Sequence, residues 1–146
     1  MASGPRIRLA LWKAEKAVER VDRASIAGTG LQFTDFAILE VLLHKGPLPV
    51  NTIGKKVLLT SGSMTAAVNR LEKRGFVRRL QDPSDGRYFH VHLTSLGRRT
   101  IREAYATHAQ NLDRLAEILS PEERRELVRL LKTIGRYAEK MPVDGS

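Results

Sequence analysis

The chain has 146 residues, with 25 lysines and arginines against 16 aspartates and glutamates and no cysteine, which puts its isoelectric point near 10.4. That length holds one compact domain or one small domain plus helices that need a partner; the charge makes a polyanion the default partner, and the missing thiols exclude disulfides, thiol redox switches, cysteine nucleophiles and cysteine-based zinc sites. No apolar run approaches the roughly 18 to 20 residues that span a bilayer, and the opening MASGPRIRLALWK has too short an apolar stretch for a signal peptide, so a cytoplasmic protein with no membrane partner is expected.

The segment SGPRIRLALWKAEKAVERVDRAS starts a helix with proline just inside it and sets Ala10, Ala14, Ala17, Val21 and Ala24 at three- and four-residue spacing, a seam narrow enough for close helix approach. In FTDFAILEVLLHKGPLP, Thr34 is the expected N-cap, with Phe33 before it, Asp35 in the first turn and Gly46-Pro47 as the stop. Its apolar residues Phe36, Ile38, Leu39, Val41, Leu42 and Leu43 run nearly all the way round, which predicts a central, buried helix. A short helix over 50–58 and a second one, capped by Thr60 and closed by Gly75, then form a helix-turn-helix. In the second, Met64, Val68 and Leu71 share one stripe with Ala67 beside them, while Gly62, Ala66, Asn69 and Lys73 point the opposite way, flanked by Ser63, Thr65 and Arg70.

Residues 76–80 and 88–93 read as two strands joined by a hairpin with two turn signals, Asp82-Pro83 and Asp85-Gly86. Helix-turn-helix plus hairpin is a winged helix. Thr94 can cap a long helix over 95–119, and Ser120, Pro121 and Glu123 start another with a capping box. Along that last helix Leu127, Leu130, Leu131, Ile134, Tyr137 and Met141 keep helical spacing with nothing left in the chain to cover them, which predicts a homodimer. The expected fold is mainly α with a small β-hairpin wing. Its winged helix-turn-helix DNA-binding domain spans 31–94, and its helical dimerisation region combines 5–30 with 95–141.

Between Lys55 and Arg87 stand eight basic and three acidic residues, a net charge of +5 where a winged helix meets a duplex. A helix with small polar residues outward suits the major groove, where side chains must reach base edges without a steric block. A hairpin tip beside it lies over the neighbouring minor groove, whose A·T-rich narrowing favours an inserted guanidinium, here Arg87. Asp85, two residues earlier, either holds Arg87 in register by an ion pair or is simply a turn residue.

The run LTSGSMTAAVNRLEKRGFVRRLQDPSDGRYFHVHLTSLG resembles the DNA-binding core of the MarR (multiple antibiotic resistance regulator) family, its RLEKRGFVRR, DPSDGR and LTSLG segments together being specific. The helices on either side fit as well. FAILEVLLHKGPLPVNTIGKKVLLTSGSMT is most similar to the branch that answers catechols and quinones. The resemblance implies a homodimeric transcriptional regulator, a ligand-responsive repressor in the main, whose interface uses the first helix (Ala10, Ala14) and the last two (Leu127, Leu130, Leu131, Ile134, Tyr137). It implies base-reading positions at Ser61, Ser63, Thr65, Ala66 and Asn69, with Arg70 and Lys73 nearer the DNA backbone and Arg87 at the wing. It also implies a small phenolic or quinone-like effector between the dimerisation helices and the winged domain, for which Trp12 and Phe36 are candidate walls and His44 a candidate polar contact; the alternative is that Trp12 and Phe36 are ordinary core or interface aromatics. Two departures stand out. Ala66 replaces the arginine of many members and offers only apolar contact, such as to a thymine methyl. Gly54 replaces the commoner alanine, as tight helix packing would require.

Other chemistry has weak support. His90 and His92 share one strand face at a spacing that could hold a metal, yet with no cysteine and no carboxylate close by in sequence they read as exposed wing histidines, and no metal or cofactor is expected. Ser61 and Ser63 lie in a helix start rather than a strained nucleophile elbow, and there is no phosphate-binding glycine loop. A sequence-indifferent architectural DNA protein and a small-aromatic-binding enzyme stand as the two alternatives to a regulator.

Overall fold

The computed structural model describes residues 2–57 and 59–144. Its elements are α1 (Gly4–Ala27), α2 (Phe33–Lys45), β1 (Leu48–Pro49), α3 (Val50–Val57), α4 (Ser61–Lys73), β2 (Val77–Gln81), β3 (Phe89–Leu93), α5 (Ser95–Ala116) and α6 (Pro121–Lys140). The chain falls into two compact units, residues 1–110 and 111–146. No helix among the described residues is long and apolar enough to cross a membrane.

In the first unit α2 is the core helix, with Phe36, Ile38, Leu39 and Leu42 sealed from solvent against Ile53, Met64, Val68, Leu71, Val91 and Ile101. It begins two residues earlier than its sequence predicts. The Gln32 carbonyl accepts the Phe36 N–H at 2.9 Å, and Gln32 rather than Thr34 is the N-cap, without a side-chain cap bond. Phe33 is held in the first turn by partial burial against the core and by the Arg23 guanidinium 4.2 Å over its ring. The seam on α1 is not buried within the chain: Ala10, Ala14, Ala17 and Ala24 are exposed, and only Ser25 and Ile26 of that helix are buried.

The sheet has three antiparallel strands in the order β1-β3-β2, not the two expected. Leu48 pairs with Val91 and Pro49 with His90; a two-residue strand carries no alternation for a sequence pattern to show. Strand β2 starts at Val77 rather than Phe76 and pairs in register from Val77↔Leu93 to Gln81↔Phe89. Helix α5 ends at Ala116, short of Leu119, and Leu58, the expected last residue of α3, lies outside the described residues.

Two glycines fix how the helices approach. A Cβ on Gly54 would sit 2.8 Å from Met64 Cγ, so glycine there permits the close crossing of α3 on α4 that its sequence implies, and alanine would have to push the Met64 side chain aside. On Gly97 a Cβ would sit 1.9 Å from the Phe76 carbonyl oxygen, which is backbone and cannot swing away. The Thr94 hydroxyl completes this junction, donating to the Gly75 carbonyl at 2.6 Å and accepting the Gly97 N–H at 3.0 Å. It stitches the start of α5 to the end of α4.

The second unit contains α6, which opens with the expected capping box: Ser120 Oγ accepts the Glu123 N–H, and the Glu123 carboxylate accepts the Ser120 N–H at 2.9 Å. Leu127, Leu130, Leu131, Ile134 and Tyr137 are all exposed.

Gly97→Ala is expected to destabilise the protein by about 3 kcal/mol or more, as backbone overlap must be relieved by shifting α5. Gly62→Ala, where a Cβ meets nothing within 4 Å, is expected to leave stability unchanged or raise it by up to about 1 kcal/mol. Urea unfolding followed by circular dichroism distinguishes the two.

Candidate nucleic-acid interface

Helix α4 is held at its start by a cap and from behind by an ion pair. Its inner stripe of Met64, Ala67, Val68 and Leu71 is buried, and Gly62, Ser63, Thr65, Ala66, Asn69 and Lys73 are exposed on the other side. Thr60 caps it, its Oγ1 accepting the Ser63 N–H at 3.3 Å and its hydroxyl donating to Ser63 Oγ at 3.0 Å. The side chain of Ser61 lies outside the described residues.

The rotation of α4 is set from behind by an acidic residue. Asp35, in the first turn of α2, is fully buried. Arg70 reaches it with two donors, Nη2 to Oδ1 at 2.6 Å and Nε to Oδ2 at 3.5 Å, and Arg74 adds Nη1 to Oδ2 at 3.4 Å. Both arginine side chains keep about two-fifths of their surface in solvent, 40% and 44%. Arg70, which the family resemblance places near the DNA backbone, is thus first a structural cation whose outer edge alone is free to face a phosphate. Sequence reading places Asp35 in the first turn of α2 and gives it no partner. The overlooked signal is its setting: an acid flanked by Phe36, Ile38 and Leu39 in a helix apolar all round must face inward, and arginines four apart on a later helix can meet it.

The wing is braced at three places. Glu72 of α4 accepts the Arg79 backbone N–H at 3.2 Å and its Nη1 at 2.8 Å, tying the reading helix to β2. Gln81 Nε2 donates to the Gly86 carbonyl at 2.7 Å across the turn. Asp85 takes Arg87 by both routes that its sequence leaves open: Oδ1 accepts the Arg87 backbone N–H at 3.1 Å, a turn contact, while Nε and Nη2 reach Oδ1 and Oδ2 at 3.1 and 2.9 Å, an ion pair. These hydrogen bonds hold the Asp85 carboxyl below its ordinary range and push the guanidinium up. Arg87 is nonetheless 82% exposed, oriented but not covered. A cleft of about 460 Å³ between wing and helices is lined by Thr65 of α4, Val50 and Asn51 at the start of α3, and Arg79, Arg87, Tyr88 and Phe89 of the wing. A second cleft along α4 is lined by Asn69, Arg70, Glu72 and Lys73. Of the eight positions expected to meet DNA, Thr65, Asn69, Arg70, Lys73 and Arg87 therefore line one of these two clefts, with Ser63 and Ala66 exposed on the same helix.

Other expected sites are not assembled in this way. Phe36 is wholly buried, meeting His108 edge-on at 4.9 Å between ring centroids, so it is a core residue rather than the wall of an open site. Trp12 is exposed on α1, and His44 packs edge-on against Tyr105 at 4.7 Å. Neither lines the two clefts. His90 and His92 are half-buried rather than exposed, and a carboxylate does stand by: Asp82 lies 3.6 Å from His90 across the hairpin turn. Among the described residues no three histidine, aspartate or glutamate side chains group to hold a metal.

A sequence profile described as the MarR family matches residues 31–89. The chain is 38% identical over 112 residues to YkoM of Bacillus subtilis, an uncharacterized HTH-type transcriptional regulator, covering 77% of this chain and 73% of that one. It is 37% identical over 111 residues to the HTH-type transcriptional regulator MhqR of the same organism, covering 76% and 77%. Among solved structures, NadR in complex with 4-hydroxyphenylacetate superposes with a TM-score of 0.76 at 25% identity, over 97% of this chain and 96% of that one.

Removing Arg70 leaves a buried carboxylate with one long contact, so Arg70→Met is expected to cost about 2–3 kcal/mol in urea unfolding and Arg74→Met about 1. For Asp85 the folded value lies below the unfolded one, so its contribution to the hairpin is present at neutral pH and is lost as pH falls through that lowered value. Followed by the carboxyl carbon shift in NMR, the Asp85 midpoint is expected to rise in Arg87→Ala; an unchanged midpoint contradicts the pairing.

Proposed function

The chain belongs to the MarR family of DNA-binding transcriptional regulators, and we propose that within it the protein works as a homodimeric, ligand-responsive repressor on a pseudo-palindromic operator. In this reading residues 31–94 are the DNA-binding domain, and 5–30 with 95–141 form the dimerisation region. One observation carries it. The recognition helix and the wing present exposed polar and basic groups on braced supports, while Ile7, Leu9, Leu11 and Trp12 of α1 and Leu127, Leu130, Leu131, Ile134 and Tyr137 of α6 leave apolar side chains uncovered in the single chain.

Ser61, Ser63, Thr65, Ala66 and Asn69 are the base-reading set, Lys73 and the free edge of Arg70 meet phosphates, and Arg87 enters the flanking minor groove with Asp85 holding its orientation. Pairing two chains sets the distance between two such helices, which must match one helical turn of B-form DNA or a multiple. A phenolic or quinone-like effector is the proposed ligand, supported by the 4-hydroxyphenylacetate bound in NadR. It acts by population shift, binding better to dimers whose recognition helices are mis-spaced. Trp12 and His44 remain its candidate contacts, and Phe36 belongs to the core.

In fluorescence anisotropy, Arg87→Ala is expected to weaken binding by about tenfold and to reduce the preference for A·T-rich flanks. Lys73→Ala is expected to weaken all duplexes alike and to lower the salt slope by about 0.9. Affinity unchanged in Arg87→Ala at both low and high salt contradicts the wing assignment. Sedimentation of the wild-type protein as a single chain contradicts the dimer.

A further inference from the structure

The polar cluster that DNA reading does not use lies inside the core, where α1, α2 and α5 meet. His108 of α5 is 5% exposed. Its Nδ1 lies 2.9 Å from the Ser25 hydroxyl and its Nε2 lies 3.1 Å from Asp22 Oδ1, both on α1; the edge of its ring meets Phe36 of α2. A carboxylate only accepts, so in the neutral ring Nε2 carries the proton toward Asp22, and Nδ1 accepts from the Ser25 hydroxyl. A second proton turns Nδ1 into a donor toward the Ser25 oxygen. The ring then bears a positive charge facing Asp22 of α1 and Glu40 of α2, with His44 on α2 the other titratable group beside Glu40. The half-buried Glu40 carboxyl is pushed up by its burial, pulled back by His44 and His108, and pushed further by Asp22. An apolar side chain of similar volume would fill this place without desolvating polar groups, so packing alone does not account for the cluster.

Position in the fold gives the cluster its reach. Phe36, against which His108 rests, adjoins Asp35, whose carboxylate holds Arg70 of the recognition helix and Arg74 at its C-cap. The first turn of α2 is therefore clasped from both sides, by α5 through one residue and by α4 through the next. We propose that His108 is a proton-sensitive positioning residue, coupling α1 and α5 to the recognition helix through the first turn of α2. Protonation draws α5 toward Asp22 and Glu40 and so secures the arrangement in which Asp35 holds α4. This rests on the reading that α4 binds DNA and that α1 and α5 belong to the regulatory, dimer-forming part.

The test uses the full-length dimer and a duplex that the wild-type protein enriches from a random pool, with affinity read by fluorescence anisotropy from about pH 8 to about pH 6. His108→Gln keeps a donor for Asp22 but cannot take a second proton. Wild-type affinity is expected to rise on acidification, and His108→Gln to lose about threefold or more of that rise; His90 and His92, present in both proteins, cancel in the comparison. In a double-mutant cycle, His108→Gln with Arg74→Gln is expected to depart from the product of the single effects by about threefold, whereas His108→Gln with Arg87→Ala is expected to multiply. Asp22→Asn, which keeps the imidazole and removes the charge it faces, replaces His108→Gln if that variant melts at the assay temperature, with the same outcomes expected. A pH profile identical to wild type, or a simple product with Arg74→Gln, overturns the coupling. Failure of the wild-type protein to enrich any duplex overturns the DNA-binding reading beneath it instead.

Discussion

The Asp35 carboxylate has no contact with solvent, so its charge has to be met from inside the protein, and the two cations that meet it are Arg70 in helix α4 and Arg74 at its C-cap. A buried ion pair is a poor source of net stability, because desolvation consumes most of the attraction, but it is strongly directional. Two arginines one turn apart, aimed at one fixed carboxylate, leave α4 little freedom to roll or slide. The side opposite its buried stripe is consequently fixed as well, and that side carries Ser63, Ala66, Asn69 and Lys73.

The wing is held to the same frame by different means. Glu72 takes the Arg79 side chain and backbone together, so β2 moves with α4, and Gln81 and Asp85 brace the turn at the tip. These pairs are exposed and contribute little energy individually. Their effect is geometric: Arg87 stays extended and solvated, with its charge in place before a duplex arrives, which lowers the entropy that ordering it would cost on binding. Small polar groups along a helix, flanked by a guanidinium on a stiff hairpin, are the surface proposed to meet two adjacent grooves.

Much of this is legible in the sequence because it depends on local patterning. The Met64, Val68, Leu71 stripe, the Thr60 cap, the Ser120–Glu123 capping box and the turn residues around Asp85 each declare themselves within a few positions. Gly54 is legible too, since the two helices it joins are consecutive. What escapes is non-local or very short. Strand β1 has two residues and exists only because β3 offers it an edge. Asp35 and Arg70 are 35 positions apart, so neither one's sequence neighbourhood reveals the pairing that gives Arg70 its first task. Phe36 can be read as the wall of a ligand site or as ordinary core, and its complete burial against His108 decides for core. His90 looks isolated from carboxylates until the hairpin folds Asp82 back beside it.

The central claim is that a pair of these chains offers two rigidly held α4 helices to successive turns of one duplex. Enrichment of a random duplex pool on the purified protein, followed by sequencing, tests it most directly. The account predicts an inverted repeat whose half-sites are centred about 10 base pairs apart, or a multiple of that, with A·T-rich flanks where Arg87 enters. A pool that stays random in sequence while binding only through charge would contradict it.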